Sequence, residues 1–313
     1  MQEVGRTEQF ITEDLISKAQ VITATPVGTN HYTVRDLRFN TLIIDEAGQA
    51  LEPACWIPIL KAEKVILAGD HCQLPPTIKS EEAARKGLAL TLLEKLVSAY
   101  PESVVMLEEQ YRMNIPIMSF PGKIFYEDRL KANQAVAERV LFPGSPALSF
   151  IDTAGCGFDE KVEGTSISNS DEAAFLIKHL IYLSDEIRSV SADQVPPSVA
   201  LISPYKEQII VLRDLLETSP ELAVWKPYIS VNTIDSFQGQ ERDVVYISLT
   251  RSNTEGNIGF LSDIRRMNVA MTRARKKLVV IGDSATLSRL PFYADFISYA
   301  EKLNAYQSAW EFA

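Results

Sequence analysis

The sequence predicts an α/β fold built from mainly parallel sheets in two domains. Short apolar runs rich in β-branched residues alternate with longer amphipathic stretches along the chain. That alternation is typical of strands joined by crossover helices. A passage with proline and glycine, residues 142–146 (FPGSP), interrupts the alternation, which then restarts. We therefore predict a first domain over residues 1–120 and a second over residues 121–313.

Nine runs are predicted as strands and two long stretches as helices. The strands fall at residues 21–25, 41–44, 65–68, 104–107, 148–151, 199–203, 229–233, 244–249 and 278–281. The helices cover residues 169–187 and 205–217, because apolar residues recur there at intervals of three and four. His179 lies in the first of these helices, where we expect a structural histidine with hydrogen-bond partners rather than a metal ligand.

The composition is that of a folded globular protein, since 46% of the residues are hydrophobic and 23% are charged. It excludes a disordered, collagen-like or coiled-coil chain. Three widely separated cysteines argue against a zinc site and for a reducing compartment. No apolar run of the sequence approaches the roughly 18 residues that span a bilayer. We therefore expect no membrane partner and an intracellular, cytoplasmic location.

Charge is distributed unevenly along the chain. The 31 basic and 41 acidic residues give a net charge of -10, which argues against a protein that coats nucleic acid. Residues 231–290 differ, because nine basic and six acidic side chains give them a local charge of +3. Such a segment is either an ordinary solvated helix face or part of a nucleic-acid-binding surface.

Polar residues follow the predicted strands at their carboxyl ends, where ligands gather in open α/β sheets. Asp45 and Glu46 come directly after the strand TLII. In nucleotide hydrolysis such an aspartate holds Mg²⁺, and the neighbouring glutamate orients and deprotonates the attacking water. Gly69 and Gln73 follow the strand VILA within GDHCQLPP. Glycine allows a ligand to approach closely, and an amide both donates to a phosphate oxygen and accepts from water.

Three later segments carry groups suited to phosphate or base recognition. Gln110-Tyr111-Arg112 combines an aromatic ring with a guanidinium fork. TIDSFQGQERD brings hydroxyl groups and a glycine before a strand. In RRMNVAMTRARKK, residues recur at helical spacing, which indicates a helix covered with arginines. They are Arg265, Asn268, Met271, Thr272 and Arg275, with Arg273 just off the stripe.

Taken in this order, DEAG, GDHCQLPP, EQYRMNIP, TIDSFQGQERD and NVAMTRARKKL resemble motifs II, III, IV, V and VI of the superfamily 1B helicases of the Upf-type and Smubp-type branch. SPYKEQ resembles the additional motif between IV and V. The resemblance runs from about residue 21 to residue 283. It implies two RecA-like domains that bind ATP and Mg²⁺ between them and a strand of DNA or RNA across both. It also implies an ATP-dependent helicase that moves along that strand.

The resemblance assigns catalytic roles to five residues. Asp45 would serve Mg²⁺, Glu46 the hydrolytic water, and Gln73 the sensing of the γ-phosphate. Arg112 and Arg273 would be arginine fingers.

Other residues would bind the nucleotide or the nucleic-acid strand without taking part in the hydrolysis. Tyr111 would pack on the adenine, and Gly239 and Glu241 would lie near the ribose or the phosphates. The candidates for contact with the nucleic-acid strand are Pro75, Ser203, Thr233 and Ser236.

One motif of such helicases is absent from the 313 residues, namely the loop G-x-x-x-x-G-K-[ST] that cradles the phosphates. Gly122-Lys123 lacks the upstream glycine and the following hydroxyl. We expect the chain to be the C-terminal part of a longer helicase, with a first RecA-like domain incomplete at its N-terminal side and the missing segment as a partner in trans. A variant that has dispensed with the loop is the other explanation. We expect negligible ATP hydrolysis by the chain alone, and a first domain prone to aggregate.

Two other functions stay open at this point. One is a catalytically incomplete subunit that binds nucleic acid or acts as a scaffold. The other is an unrelated α/β enzyme whose carboxylates hold a metal for a different reaction.

Overall fold

The computed structural model describes residues 2–164, 166–190 and 195–312. The chain divides into two compact units, Met1–Val105 and Met106–Ala313. Within the described ranges, no helix combines the length and the apolar character needed to cross a membrane.

The first unit is built around a two-stranded parallel sheet. β1 (Phe39–Ile44) pairs with β2 (Ala62–Leu67) in a register that sets Ile44 beside Leu67. The helices of this unit are α1 (Gln2–Lys18), α2 (Glu52–Ile59), α3 (Glu81–Ala83) and α4 (Leu92–Ala99). α4 begins at a capping box, in which Thr91 and Glu94 each accept a hydrogen bond from the other's main-chain N–H.

The core of the first unit is small. It consists of Ile44, Ala47, Cys55, Leu92 and Leu93, with a few half-buried neighbours. Other apolar side chains of the sheet face solvent, and Ile43 is 63% exposed. Parallel sheets are normally covered on both faces. The first unit therefore presents an apolar sheet surface that its own described residues do not cover.

The second unit contains the larger sheet. Its strands are β3 (Glu109–Gln110), β4 (Lys131–Ala132), β5 (Leu148–Asp152), β6 (Lys161–Glu163), β7 (Ser166–Ser168), β8 (Val199–Ser203), β9 (Ile229–Thr233), β10 (Arg242–Ser248), β11 (Ala274–Gly282) and β12 (Tyr306–Ser308). Six of them form one sheet in the order β12-β5-β11-β10-β8-β9, and every pairing in it is parallel. The prediction of an α/β fold with mainly parallel sheets is confirmed.

Helices connect these strands. They are α5 (Ile115–Phe125), α6 (Gln134–Ala137), α7 (Ser170–Val190), α8 (Lys206–Thr218), α9 (Ile264–Met271), α10 (Ser284–Leu287) and α11 (Pro291–Lys302). α7 and α8 match the two helices that the apolar periodicity predicts.

The core of the second unit lies between the sheet and α7 and α8. Leu176, Leu180 and Leu183 of α7 are buried against residues of β8 and β10, as their spacing predicts. His179 is a structural residue, as expected, since its Nδ1 lies 2.8 Å from the Tyr246 hydroxyl in the core. Burial lowers the pKa of His179 to about 4, which keeps the ring neutral.

Three local predictions are wrong. The runs at 21–25 and 104–107 are not strands, and Val21 and Val105 are 79% and 86% exposed. A strand needs a neighbour for its N–H and C=O groups, and neither run is paired in a sheet of the described structure. The arginine-rich helix α9 ends at Met271, so that Thr272 and Arg273 lie in a turn and Arg275 lies in β11.

The division between the units falls earlier than residue 120. Residues 106–120 join the second unit because β3 pairs with β4, with Glu109 beside Lys131. In addition, Arg112 forms hydrogen bonds to Glu241 and Thr272. The segment EQYRMNIP therefore belongs to the second unit.

Candidate functional site

The acidic end of β1 is a tight and strained turn. Asp45 and Glu46 are both exposed, and Asp45 Oδ1 accepts a hydrogen bond from the Glu46 N–H at 2.9 Å. Glu46 has a φ of 51°, in the left-handed region that costs a non-glycine residue about 1 to 2 kcal/mol. Glu46 Oε2 accepts from Gln49 Nε2 at 2.8 Å. The carboxylates therefore project from a fixed turn, and backbone strain of this kind clusters at functional sites.

Two glycines allow the turns that follow β1 and β2 to touch. A Cβ on Gly69 would lie 2.8 Å from the Gly48 nitrogen, and a Cβ on Gly48 would lie 2.7 Å from the Asp70 carbonyl oxygen. Because main chain meets main chain there, neither neighbour can move aside for a side chain. The acidic turn and the loop GDHCQLPP are thereby brought together within the first unit.

Asp70 organises the second of these loops. Its Oδ2 accepts from Gln73 Nε2 at 2.8 Å and its Oδ1 from the Cys72 N–H at 2.9 Å. Gln73 and Pro75 are half-buried in this loop. The ligand atoms of Asp70, His71 and Cys72 lie within 4.8 Å of one another. Both Asp70 oxygens already accept hydrogen bonds, so this cluster gives no support for a metal site.

In the second unit, arginines from distant segments converge on Glu241. Arg112 Nε donates to Glu241 Oε2 at 2.8 Å, and Arg112 Nη1 donates to the Thr272 carbonyl at 3.0 Å. Arg275 Nε lies 3.6 Å from Glu241 Oε1. Arg139 donates to the Arg112 carbonyl. Burial and the nearby Arg275 lower the pKa of Arg139.

This arrangement concentrates positive charge around a single carboxylate, which suits it to a phosphate ligand. Arg139 and Arg275 were not among the predicted site residues. The local sequence does not show that Arg275 lies in a strand. It also does not show that Arg139 contacts Arg112.

Arg273 is also at this place, but it is buried. Its side chain is 2% exposed, and it donates to the carbonyls of Val269 at 3.0 Å and Gln240 at 3.4 Å. Arg112 keeps a third of its side chain exposed. Of the two predicted arginine fingers, Arg112 is therefore the one presented to solvent, while Arg273 braces the turn beside Glu241.

The predicted nucleotide-binding residues lie at the surface near this cluster. Tyr111 adjoins Arg112 in sequence, is 64% exposed, and donates its hydroxyl to Glu109 at 2.9 Å. Gly239 precedes Glu241 by two residues and has a φ of 78°, a conformation that glycine adopts without strain. An exposed ring and a turn that contains a glycine thus flank the arginines.

The predicted strand contacts divide into two groups within the second unit. The Thr233 and Ser236 hydroxyl oxygens lie 3.1 Å apart, half-buried and exposed respectively, at the carboxyl end of β9. Ser203 is fully buried, and its hydroxyl pairs with that of Thr250 at 3.0 Å. This burial does not fit a direct contact between the Ser203 side chain and nucleic acid. The Ser203 hydroxyl oxygen instead accepts a hydrogen bond from the Tyr205 N–H at 3.3 Å, at the start of α8.

The parallel sheets, the acidic turn of the first unit and the arginine cluster of the second unit are features of α/β proteins that bind nucleotides. Models of the AAA domain match residues 88–285 and residues 1–81 of the chain. The chain therefore belongs to the AAA domain family, and its relatives place it in the Upf-like branch of superfamily 1.

Three relatives indicate the range of that branch. DNA-binding protein SMUBP-2 of Rattus norvegicus is 36% identical over 99% of this chain and 32% of its own length. DNA polymerase alpha-associated DNA helicase A of Saccharomyces cerevisiae is 36% identical over 92% of this chain and 46% of its own. A Regulator of nonsense transcripts 1 homolog of Arabidopsis thaliana is 35% identical over 94% and 23%. The chain thus spans less than half the length of each.

Proposed function

We propose that this chain acts in an ATP-dependent helicase, where hydrolysis of ATP drives translocation along single-stranded DNA or RNA and unwinding. The observation that carries the proposal is the convergence of Arg112 and Arg275 on the Glu241 carboxylate. Arg112 and Glu241 are separated by 129 positions in the chain. Guanidinium groups brought together in this way are the usual means of stabilising charge on a transferring phosphoryl group.

The first unit supplies complementary groups for the same reaction. Asp45 offers an exposed carboxylate at a strand end, the kind of oxygen ligand with which Mg²⁺ binds while it keeps several waters. When bound, the ion would neutralise charge on the phosphate oxygens. Glu46, held on its strained turn, would take a proton from the attacking water, and Gln73 would hydrogen bond to the terminal phosphate.

The second unit also offers a surface for the strand. The hydroxyl groups of half-buried Thr233 and exposed Ser236 lie in the segment of residues 231–290, whose local charge is +3. Hydroxyl and cationic contacts to the sugar-phosphate backbone are indifferent to base sequence, as a translocating protein requires. Such contacts also explain how a chain of net charge -10 holds nucleic acid.

A chimera tests the proposal directly. This chain would replace the matching segment of the yeast DNA polymerase alpha-associated DNA helicase A, which is 36% identical to it. We expect ATP hydrolysis stimulated by single-stranded oligonucleotides. Glu46→Gln in the chimera should abolish turnover and leave nucleotide binding intact, whereas Glu63→Gln, on an exposed residue of β2, should change neither.

The alternative is a catalytically incomplete subunit that binds nucleic acid. A folded chimera that binds oligonucleotides but shows no stimulated turnover would support this alternative. Turnover that persists in Glu46→Gln would contradict both and favour an unrelated enzyme.

A further inference from the structure

An exposed aromatic ring lies on the second unit outside the groups described so far. Phe260 is 51% exposed and lies in the short 3-10 turn Gly259–Ser262, just before α9. We propose that Phe260 is a base-stacking residue of the strand-binding surface, an inference that rests on the proposed function. Its ligand would be an unpaired base of single-stranded DNA or RNA.

The ring of Phe260 rests on a fixed support. The ring centroids of Phe260 and Tyr205 are 5.5 Å apart, with an angle of 33° between their planes. Tyr205 is 2% exposed, and its hydroxyl accepts from the Phe260 N–H at 3.3 Å and donates to the Ile258 carbonyl at 3.4 Å. One face of Phe260 is therefore covered by protein, while half of the side chain surface is left for a ligand.

The turn that carries the ring is closely packed. A Cβ on Gly259 would lie 2.2 Å from Arg251 Nη1 and 2.7 Å from the Tyr205 hydroxyl oxygen. Arg251 is fixed in turn by a buried ion pair, in which its Nε lies 2.8 Å from Glu160 Oε2. Phe260 is therefore an exposed residue on a closely packed turn. This packing limits the conformational entropy lost when a base stacks on the ring.

One arginine connects this ring to the predicted strand contacts. The guanidinium carbon of Arg266 lies 5.7 Å from the Phe260 ring centroid, and Arg266 Nε lies 3.7 Å from Asp235 Oδ1. Asp235 directly precedes Ser236, whose hydroxyl pairs with that of Thr233. A ring, a cation and two hydroxyl groups thus share one surface.

This combination favours nucleic acid over an apolar protein partner. Single-stranded nucleic acid is held by rings that stack on bases beside cations and hydroxyl groups that contact phosphates. Phe260 lies beside Arg266, which in turn pairs with Asp235 and Asp263. A lone ring among charges is not the contiguous apolar patch that a protein interface needs.

Fluorescence anisotropy with the complete chain tests the inference. The probes are labelled oligo(dT), oligo(rU) and an abasic oligomer of the same length, all at low salt. The variants are Phe260→Ala and Phe260→Leu, which remove the ring, and Phe260→Trp, which keeps a stacking surface. Trp310→Ala is the matched control, because Trp310 is 62% exposed and lies outside this cluster.

We expect Phe260→Ala and Phe260→Leu to bind both base-bearing oligomers on the order of 5- to 150-fold more weakly, with little change on the abasic oligomer. Phe260→Trp should restore binding, and Trp310→Ala should leave it unchanged. Equal affinities of the unchanged chain and Phe260→Ala would overturn the inference, as would an equal loss on the abasic oligomer. If Phe260→Ala unfolds, Phe260→Leu and Phe260→Trp decide the question. Absence of salt-sensitive binding by the unchanged chain would instead contradict the proposed function itself, and the inference would fall with it.

Discussion

Replacing Glu172 by glutamine should remove a pH-dependent loss of stability from the second unit. Glu172 lies in the first turn of α7 and is fully buried. Its Oε1 accepts hydrogen bonds from the Ser248 hydroxyl and from the Thr250 N–H, the latter at 2.9 Å. Burial outweighs these bonds and raises the pKa of Glu172 from 4.5 to about 7.

The direction of the effect follows from proton binding. Between these two pKa values the folded protein keeps a proton on Glu172 that the unfolded chain has released, so the free energy of unfolding falls as the pH rises through that window. Above about pH 7 the loss is complete. A shift from 4.5 to about 7 corresponds to about 3 kcal/mol at 1.36 kcal/mol for each pKa unit.

Urea denaturation followed by circular dichroism, at a series of pH values from about 5 to about 8, measures this loss. The Glu172→Gln variant cannot titrate, so the difference between the two proteins should move in favour of the variant by about 3 kcal/mol across the series. The new amide nitrogen takes the place of Oε2, which has no hydrogen-bond partner in the described structure. The cost of burying this unpartnered amide nitrogen is the same at every pH. It therefore changes the difference in unfolding free energy between the two proteins by a constant amount.

Subtraction of the two profiles removes the contribution of other groups, among them His179, whose pKa is lowered to about 4. Parallel profiles for the two proteins would refute a proton held on Glu172 in the folded state.

Three further predictions concern packing, capping and turnover. Gly259→Ala should be less stable than Gly157→Ala in chemical denaturation. Both glycines have a positive φ, but only a Cβ on Gly259 would meet other atoms, the nearest at 2.2 Å. Equal losses of unfolding free energy in the two variants would contradict the packing of the Gly259 turn. Thr91→Ala should cost about 0.5 to 2 kcal/mol of unfolding free energy through loss of the α4 cap, while Thr41→Ala, on an exposed strand residue, should cost less. The 313-residue chain alone should release negligible phosphate from ATP, with or without oligonucleotide, because its sequence has no phosphate loop. Robust stimulated release would show that another group binds the phosphates of ATP.

The sequence predicts the sheet of the second unit well because its strands are buried. All five residues of β5 and of β8 are inaccessible, so each strand stands out as an apolar run between helices of regular periodicity. The same apolar signal fails at residues 104–107. Apolar, β-branched composition favours a strand, but pairing depends on a neighbouring strand that local sequence does not specify.

The site is harder to predict than the sheet. The resemblance to the helicase motifs indicates Arg112, Arg273 and Glu241, and the structure brings these three segments together. Spacing does not reveal that Arg273 is buried or that the Ser203 hydroxyl faces Thr250. Exposure depends on the direction in which a side chain leaves the main chain, and each further residue of a helix rotates that direction by about 100°.

Glu241 explains how the arginine cluster folds in the absence of a phosphate. Arg112 and Arg275 both face its carboxylate, at 2.8 Å and 3.6 Å, and Arg139 lies behind Arg112. Burial and, after it, repulsion from the Arg275 guanidinium lower the pKa of Arg139. Glu241 and Asp243 cannot balance the four cations Arg112, Arg139, Arg275 and Lys276, so the cluster retains a positive charge that an anion would neutralise. The residue assigned to the nucleotide by its motif is therefore also the counter-charge that keeps the arginines together.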